Sequence, residues 1–183
     1  GYKVYGITHR DKTAEQARER KLAQFVSTDL GILKHCSIIY LALPIEKLIN
    51  PSSGLINAIP RNAVVTDVGS VKVPILKAWN KLHPRFVASH PMTGTEEFGV
   101  QAGKYNLFTN KPWVVTPNEK TDKKALETIH QISLSLGCQW ISTEAKIHDE
   151  AVSLISHLPV FISAALLNTL STDIQPSLYS LTK

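Results

Sequence analysis

His90, Ser70 and Arg10 are the residues whose type and setting could carry chemistry in this chain of 183 residues. An imidazole titrates near neutral pH and suits proton abstraction. His90 lies in the string SHPMTGTE, just past a short apolar run at 86–88. There it reads either as a general base or as a structural histidine. Ser70 lies in TDVGSVK, directly after the apolar run 63–68. Its hydroxyl reads as a helix cap or as a donor to a ligand oxygen, and Gly69 beside it permits close backbone approach. Arg10 follows Thr8 and His9 at the end of the first apolar segment. A guanidinium there can bind a phosphate through charge-assisted hydrogen bonds. His148 and His157 lie nine positions apart, about 2.5 helical turns, so they do not stack on one face. HExxH is absent and neither cysteine has metal-ligand neighbours, so no metal site is expected.

These residues need elements to hold them. Residues 3–7, 37–43, 63–68, 86–88, 113–116 and 139–141 read as short strands. The run 37–43 is wholly apolar and stopped by Pro44, as expected of a strand buried on both faces. Thr13 and Gln16 read as a capping box opening a helix to about Lys21. A second helix is expected over 71–82, with Pro74 in its first turn. A third spans 122–136 and is closed by Gly137. From 143 to 172 there is no strand signal, only helix, a break at Pro159, and helix again. Alternating strands and helices followed by helix alone predict an α/β domain over 1–143 and the start of a helical domain over 144–183. Arg10, Ser70 and His90 all fall just beyond strands, where open α/β sheets bind ligands.

Composition narrows the classes. With 43% apolar and 19% charged residues the chain can build a core, which argues against disorder. No uninterrupted apolar run reaches the roughly 18 residues of a membrane span, and the opening residues lack a signal-peptide pattern. Cys36 and Cys138 each sit in an apolar stretch, which suggests buried thiols in a reducing, cytoplasmic setting. The net charge of +5 is spread out, and its densest run, Arg18 to Lys21, includes Glu19. That favours a solvated helix face over a nucleic-acid site, which needs clustered charge. A mild positive field suits a small anionic ligand.

A dinucleotide-binding domain normally opens with a strand and a G-x-G-x-x-G turn. Here the only early glycines, Gly1, Gly6 and Gly31, have the wrong spacing. Yet the strings LALP (41–44), TDVGSVK (66–72), HPMTGTE (90–96), LFTNKPWVVTP (107–117) and HDEAVSLISHLP (148–159) occur in an order that resembles one family, the prephenate/arogenate dehydrogenases of tyrosine biosynthesis. The resemblance covers essentially the whole chain. It implies a Rossmann-type doubly wound, mostly parallel sheet without its first strand and glycine turn, then the start of an all-helical dimerisation domain and a homodimer.

The resemblance also implies a reaction, an NAD(P)-dependent oxidative decarboxylation. Hydride leaves C4 of a cyclohexadienol, carbon dioxide leaves C1, and the ring becomes aromatic. His90 would act on the ring hydroxyl, and Ser70 would sit between substrate and nicotinamide. Thr95 and His148 would line the substrate pocket, and Leu43 and Pro44 would contact the cofactor. Thr8, His9 and Arg10 stand where an NAD enzyme carries an acidic residue, which points to NADP. Val160 stands where many prephenate-using members carry a histidine, which points to arogenate, with prephenate the alternative. The chain ends before the helical domain's substrate-binding arginine, so this stretch alone is expected to be inactive. Two other readings fit less well. A non-catalytic nucleotide-binding module has no need of His90 and Ser70. A dehydrogenase of the 3-hydroxyacid type leaves HPMTGTE and HDEAVSLISHLP unexplained.

Overall fold

The computed structural model describes residues 2–95, 97 and 99–171, so the last part of the expected helical domain, 172–183, lies outside the described residues. The strands are β1 (Tyr5–Ile7), β2 (Phe25–Ser27), β3 (Ile38–Leu41), β4 (Val64–Asp67), β5 (Phe86–Val87), β6 (Ser89–Pro91), β7 (Pro112–Val115) and β8 (Gln139–Ser142). The helices are α1 (Asp11–Glu19), α2 (Ile45–Ile49), α3 (Ser53–Ala58), α4 (Val73–Leu82), α5 (Lys123–Ser135), α6 (Ala145–Val152) and α7 (Leu158–Ser171). All strand pairs are parallel except β6 with β7.

Strands β5 and β6 are one extended segment interrupted at Ala88, whose carbonyl accepts from Thr116 N at 3.1 Å. The segment thereby passes from its parallel partner β4 to its antiparallel partner β7. Strand order is β3-β4-β5, continued by β6-β7-β8, with β1-β2 as a separate pair. No ladder joins β1 to β3 among the described residues. In a sheet ordered 3-2-1-4-5-6, that break falls at the place of the first strand. The architecture is α/β and Rossmann-like, with the helical segment following it.

β4 is buried along its whole length because it is central. On one side Ile75, Leu76 and Trp79 of α4 pack with Ile39, Leu41, Leu48 and Phe86. Trp79 stacks on Phe86 with centroids 5.2 Å apart, and its Nε1–H donates to Leu48 O at 2.8 Å. On the other side Ala125 and Ile129 of α5 cover Val87, Trp113 and Val115. The ends of α5 follow local rules. Asp122 accepts from Ala125 N at 2.7 Å, and Gly137 closes the helix at φ 74°.

Three sequence expectations are corrected. β3 is not buried on both faces: Ile39 and Leu41 face the core, but Tyr40 is 39% exposed. Successive side chains point to opposite faces, and α5 packs over β4 and β5 on the face that bears Tyr40, which leaves Tyr40 itself at the surface. The capping box at Thr13 does not form, because α1 starts two residues earlier after Arg10, with Asp11 in its first turn. A carboxylate there suits the positive end of the helix dipole. Pro159 does not break the helical segment. Residues Ser153–His157 form a π-helical turn, with Leu158 N bonded to Ser153 O. That wider register places Pro159, which lacks an N–H, in the first turn of α7. Ala145–Thr169 is therefore one helical run of 25 residues, long and apolar enough by length and composition to cross a bilayer, although no uninterrupted apolar run signals it. It is largely exposed, with Leu154, Ile155, Phe161 and Leu167 open to solvent.

Gly69 follows β4 at a close approach. A Cβ there would lie 2.7 Å from Ile75 Cδ1, 2.9 Å from Leu48 Cδ1 and 3.0 Å from Asp67 Oδ2. Gly69→Ala is expected to destabilise the protein by about 1–3 kcal/mol, the usual cost of overpacking. A urea titration should show a lower midpoint with an unchanged slope. An unaltered midpoint would mean that Ile75 and Leu48 move aside freely.

Candidate active site

The sheet carries the sequence-predicted residues at the ends of different strands. Beyond β1, Thr8 N donates to Ser27 O at 3.2 Å. His9 and Arg10 are exposed side by side, with Arg10 Nε–H donating to His9 Nε2 at 3.1 Å. Beyond β3, Leu43 and Pro44 are exposed, and Pro44 O accepts from Lys47 N and Leu48 N to start α2. Beyond β4, Ser70 is exposed, and its hydroxyl has no hydrogen-bond partner among the described residues. Ser70 is not the cap of α4. The N–H groups of Lys72 and Val73 donate instead to Asp149, at 2.7 Å to Oδ1 and 2.9 Å to Oδ2.

Beneath this turn lies a fully buried ion pair. The Lys72 ammonium meets Asp67 Oδ2 and donates to Ser89 O at 2.6 Å. Asp67 also accepts from Gly69 N at 2.9 Å and Ser89 N at 3.2 Å. Ser89 Oγ donates to Asp67 O at 2.8 Å. Burial pushes the Asp67 carboxyl up and the Lys72 ammonium down, and each partner opposes the other's shift. The network holds Ser89, the residue before His90, to the end of β4.

His90 sits in β6 opposite Val114. Its Nδ1 lies 3.0 Å from His148 Nε2, and the two rings meet edge to face at 78°. His148, only 3% exposed, has its other nitrogen, Nδ1, 2.7 Å from Asp149 Oδ1. Among the described residues, His90 Nε2 has no hydrogen-bond partner. Burial, then the fields of His148, Lys72 and His157, push the His90 pKa down to about 4, against the pull of Asp149. The ring is neutral at neutral pH and able to accept a proton.

The other pocket candidates stand apart. Thr95 Oγ1–H donates to Glu97 O at 3.4 Å in a loop anchored by Thr93 Oγ1–H on Leu107 O at 2.9 Å. Val160 is 66% exposed on α7. No hydrogen bond links Thr95 or Val160 to His90 among the described residues. Two surface concavities, beside Arg18 and Gln24 and beside Pro74 and Lys81, include none of the predicted site residues. Sequence reasoning missed Asp149, Asp67 and Lys72 as parts of the site. Their signals were present: an aspartate beside His148, and an acid and a base five positions apart in DVGSVK.

Comparison with known proteins follows the same lines. The profile of the prephenate dehydrogenase nucleotide-binding domain matches residues 1–142, and that of the prephenate dehydrogenase dimerization domain matches 144–181. A prephenate dehydrogenase of Bacillus subtilis is 30% identical over 192 aligned positions, covering 100% of this chain and 50% of its own length. A crystal structure of Synechocystis arogenate dehydrogenase superposes with a TM-score of 0.81 at 34% identity, over 99% of this chain and 65% of that one. A crystal structure of prephenate dehydrogenase from Aquifex aeolicus, in complex with hydroxyphenyl propionate and NAD+, superposes at 0.88 with 29% identity, over 97% and 63%. The chain spans about half the length of the curated relatives it matches. A (S)-3-hydroxybutyryl-CoA dehydrogenase from Ralstonia eutropha, at 14% identity and a TM-score of 0.57, shares the fold alone. Since the nucleotide-binding profile extends over 1–142, the chain belongs to the prephenate dehydrogenase family.

Proposed function

We propose that this chain carries the cofactor-binding part and the catalytic histidine of an NADP-dependent enzyme that oxidatively decarboxylates arogenate to tyrosine. The observation that carries this reading is His90, a neutral imidazole held at Nδ1 and open at Nε2, in a family that acts on cyclohexadienols. His90 Nε2 accepts the proton of the ring C4 hydroxyl as the carbonyl forms, and the loss of carbon dioxide makes the ring aromatic. The exposed Ser70 hydroxyl orients substrate beside the cofactor, and Thr95 is the residue the family resemblance assigns to the substrate pocket.

A pyridine nucleotide fits these residues: Leu43, Pro44 and Ser70 are open beyond β3 and β4, and His9 with Arg10 beyond β1. When bound it supplies the hydride acceptor. The NAD+ complex of the Aquifex aeolicus relative supports this class of cofactor. Arg10 favours the 2′-phosphate of NADP, which the acidic residue of an NAD site would repel. A second copy of the chain covers the exposed apolar side of α6 and α7, a reading supported by the dimerization profile over 144–181. Two free cysteines, Cys36 and Cys138, suit a reducing cytoplasm.

Three measurements on the whole enzyme test these assignments. His90→Ala should lower kcat by about 10²-fold or more, with cofactor affinity retained. In the unaltered enzyme, kcat/KM should fall as pH drops through about 4, because protonated His90 cannot accept a proton. Near-normal kcat in the variant would refute the role. Arg10→Ala should weaken NADP binding by about 1.5–3 kcal/mol, the worth of a hydrogen bond to a charged group, and leave NAD binding unchanged. A higher kcat/KM for NAD than for NADP in the unaltered enzyme would reject the assignment.

Substrate choice turns on Val160. A histidine there could donate to the keto oxygen of prephenate and, if protonated, repel the ammonium of arogenate. Valine does neither. Arogenate should be preferred by about tenfold or more in kcat/KM, the size of a single pocket contact. Val160→His should narrow the gap. Equal or better use of prephenate would assign the choice to other residues.

A further inference from the structure

Asp149 does two things at once. Its two oxygens cap α4 through Lys72 N and Val73 N, and Oδ1 also faces His148 Nδ1 at 2.7 Å. A helix cap needs only the backbone contacts. The histidine contact sets protons. Asp149 Oδ1 already accepts from Lys72 N and faces His148 Nδ1 as an acceptor, so the proton of this contact sits on His148 Nδ1. In neutral His148 the Nε2 atom then carries a lone pair. It lies 3.0 Å from His90 Nδ1, so His90 must donate there. The remaining nitrogen, His90 Nε2, is left unprotonated.

We propose that Asp149 is a positioning residue that, acting through His148, holds His90 in the tautomer able to accept a proton at Nε2. The proposal rests on the reading of His90 as the base. It gives His148 a part behind His90 in place of the pocket-lining part that the family resemblance implies. When the substrate O–H bond breaks, its proton forms a bond to His90 Nε2 and its electron pair forms the C=O bond, while the C4–H bond breaks and its hydride would pass to the nicotinamide that the bound cofactor supplies. His90 is then an imidazolium whose Nδ1–H points at His148. Asp149 stabilises that charge through the intervening ring, and no proton has to reach the carboxylate, as in other histidine–carboxylate pairs.

The charged groups around His90 come from every neighbouring element. His148 and Asp149 lie on α6, Lys72 at the start of α4 with Asp67 at the end of β4, and His157 on the π turn. Among those acting on His90, His148, Lys72 and His157 oppose its protonation and Asp149 favours it. Removing the Asp149 charge therefore moves the acid limb of the kcat/KM profile to lower pH while lowering kcat.

The test uses the whole enzyme with arogenate, prephenate and both nicotinamide cofactors. Asp149→Asn should lower kcat about tenfold or more, leave the cofactor KM unchanged and move the acid limb to lower pH. A variant with a lower urea midpoint but unchanged kcat and pH profile would overturn the proposal and leave a helix cap only. If His90→Ala abolishes turnover while Asp149→Asn does not, the relay fails and the base stands. If His90→Ala keeps turnover, the base reading itself fails. A second measurement needs no variant. Long-range 1H–15N spectra of the histidine-labelled enzyme at neutral pH should show Nδ1–H tautomers for both His90 and His148. An Nε2–H tautomer at His90 would overturn the proposal.

Discussion

The structure depends on one buried contact, the ion pair of Asp67 and Lys72, with both side chains fully removed from solvent. Taking two such charges out of water costs several kcal/mol per ion even after relaxation, so the pair is tolerable only when its remaining lone pairs and protons are satisfied. Here they are, by Gly69 N, Ser89 N and Ser89 O. Those partners lie in the turn after β4 and at the start of β6, while Lys72 itself stands at the start of α4. The pair therefore fixes the turn that bears Ser70 relative to the strand that bears His90. A packed apolar contact could join the same segments, but without directional bonds to the backbone of Ser89.

The next constraint comes from outside the nucleotide-binding residues. Asp149 and His148 belong to α6, within the stretch matched by the dimerization profile, yet His148 reaches β6 and Asp149 reaches the start of α4. Asp149 closes α4 and His148 backs His90. His90 and its hydrogen-bonded supports thus come from two sequence regions, and the seating of α6 on α4 decides whether they meet. The low pKa of His90, about 4, reflects the same burial and the fields of His148 and Lys72.

α6 and α7 pose a separate energetic question. They run on through Pro159 as one helix whose large apolar side chains are mostly exposed. Each fully exposed leucine or phenylalanine forgoes about 1.5–3 kcal/mol of burial, so such a face needs a cover. A bilayer and a second copy are both chemically suitable, and the match of 144–181 to a dimerization domain favours the copy.

Local order along the chain determined much of this. The central strand at 64–67 is legible from the β-branched residues Val64, Val65 and Thr66 that lead it, and α5 because Asp122 and Gly137 mark its ends. The family strings single out Ser70, His90 and His148, because each lies in a short contiguous motif. Tertiary structure decided the rest. β2 and β6, at three residues each, are too short to show a period and exist because neighbouring strands pair with them. Tyr40 meets solvent because the helix on its face, α5, packs against β4 and β5. The cap of α4 is not the adjacent Ser70 but Asp149, 77 residues away. That same distant carboxylate turns a lone histidine into one of a hydrogen-bonded pair. Caps, periods and motifs depend on near neighbours and can be read from sequence. Which face is covered, and which carboxylate meets which histidine, depends on segments that become neighbours only when the chain has folded.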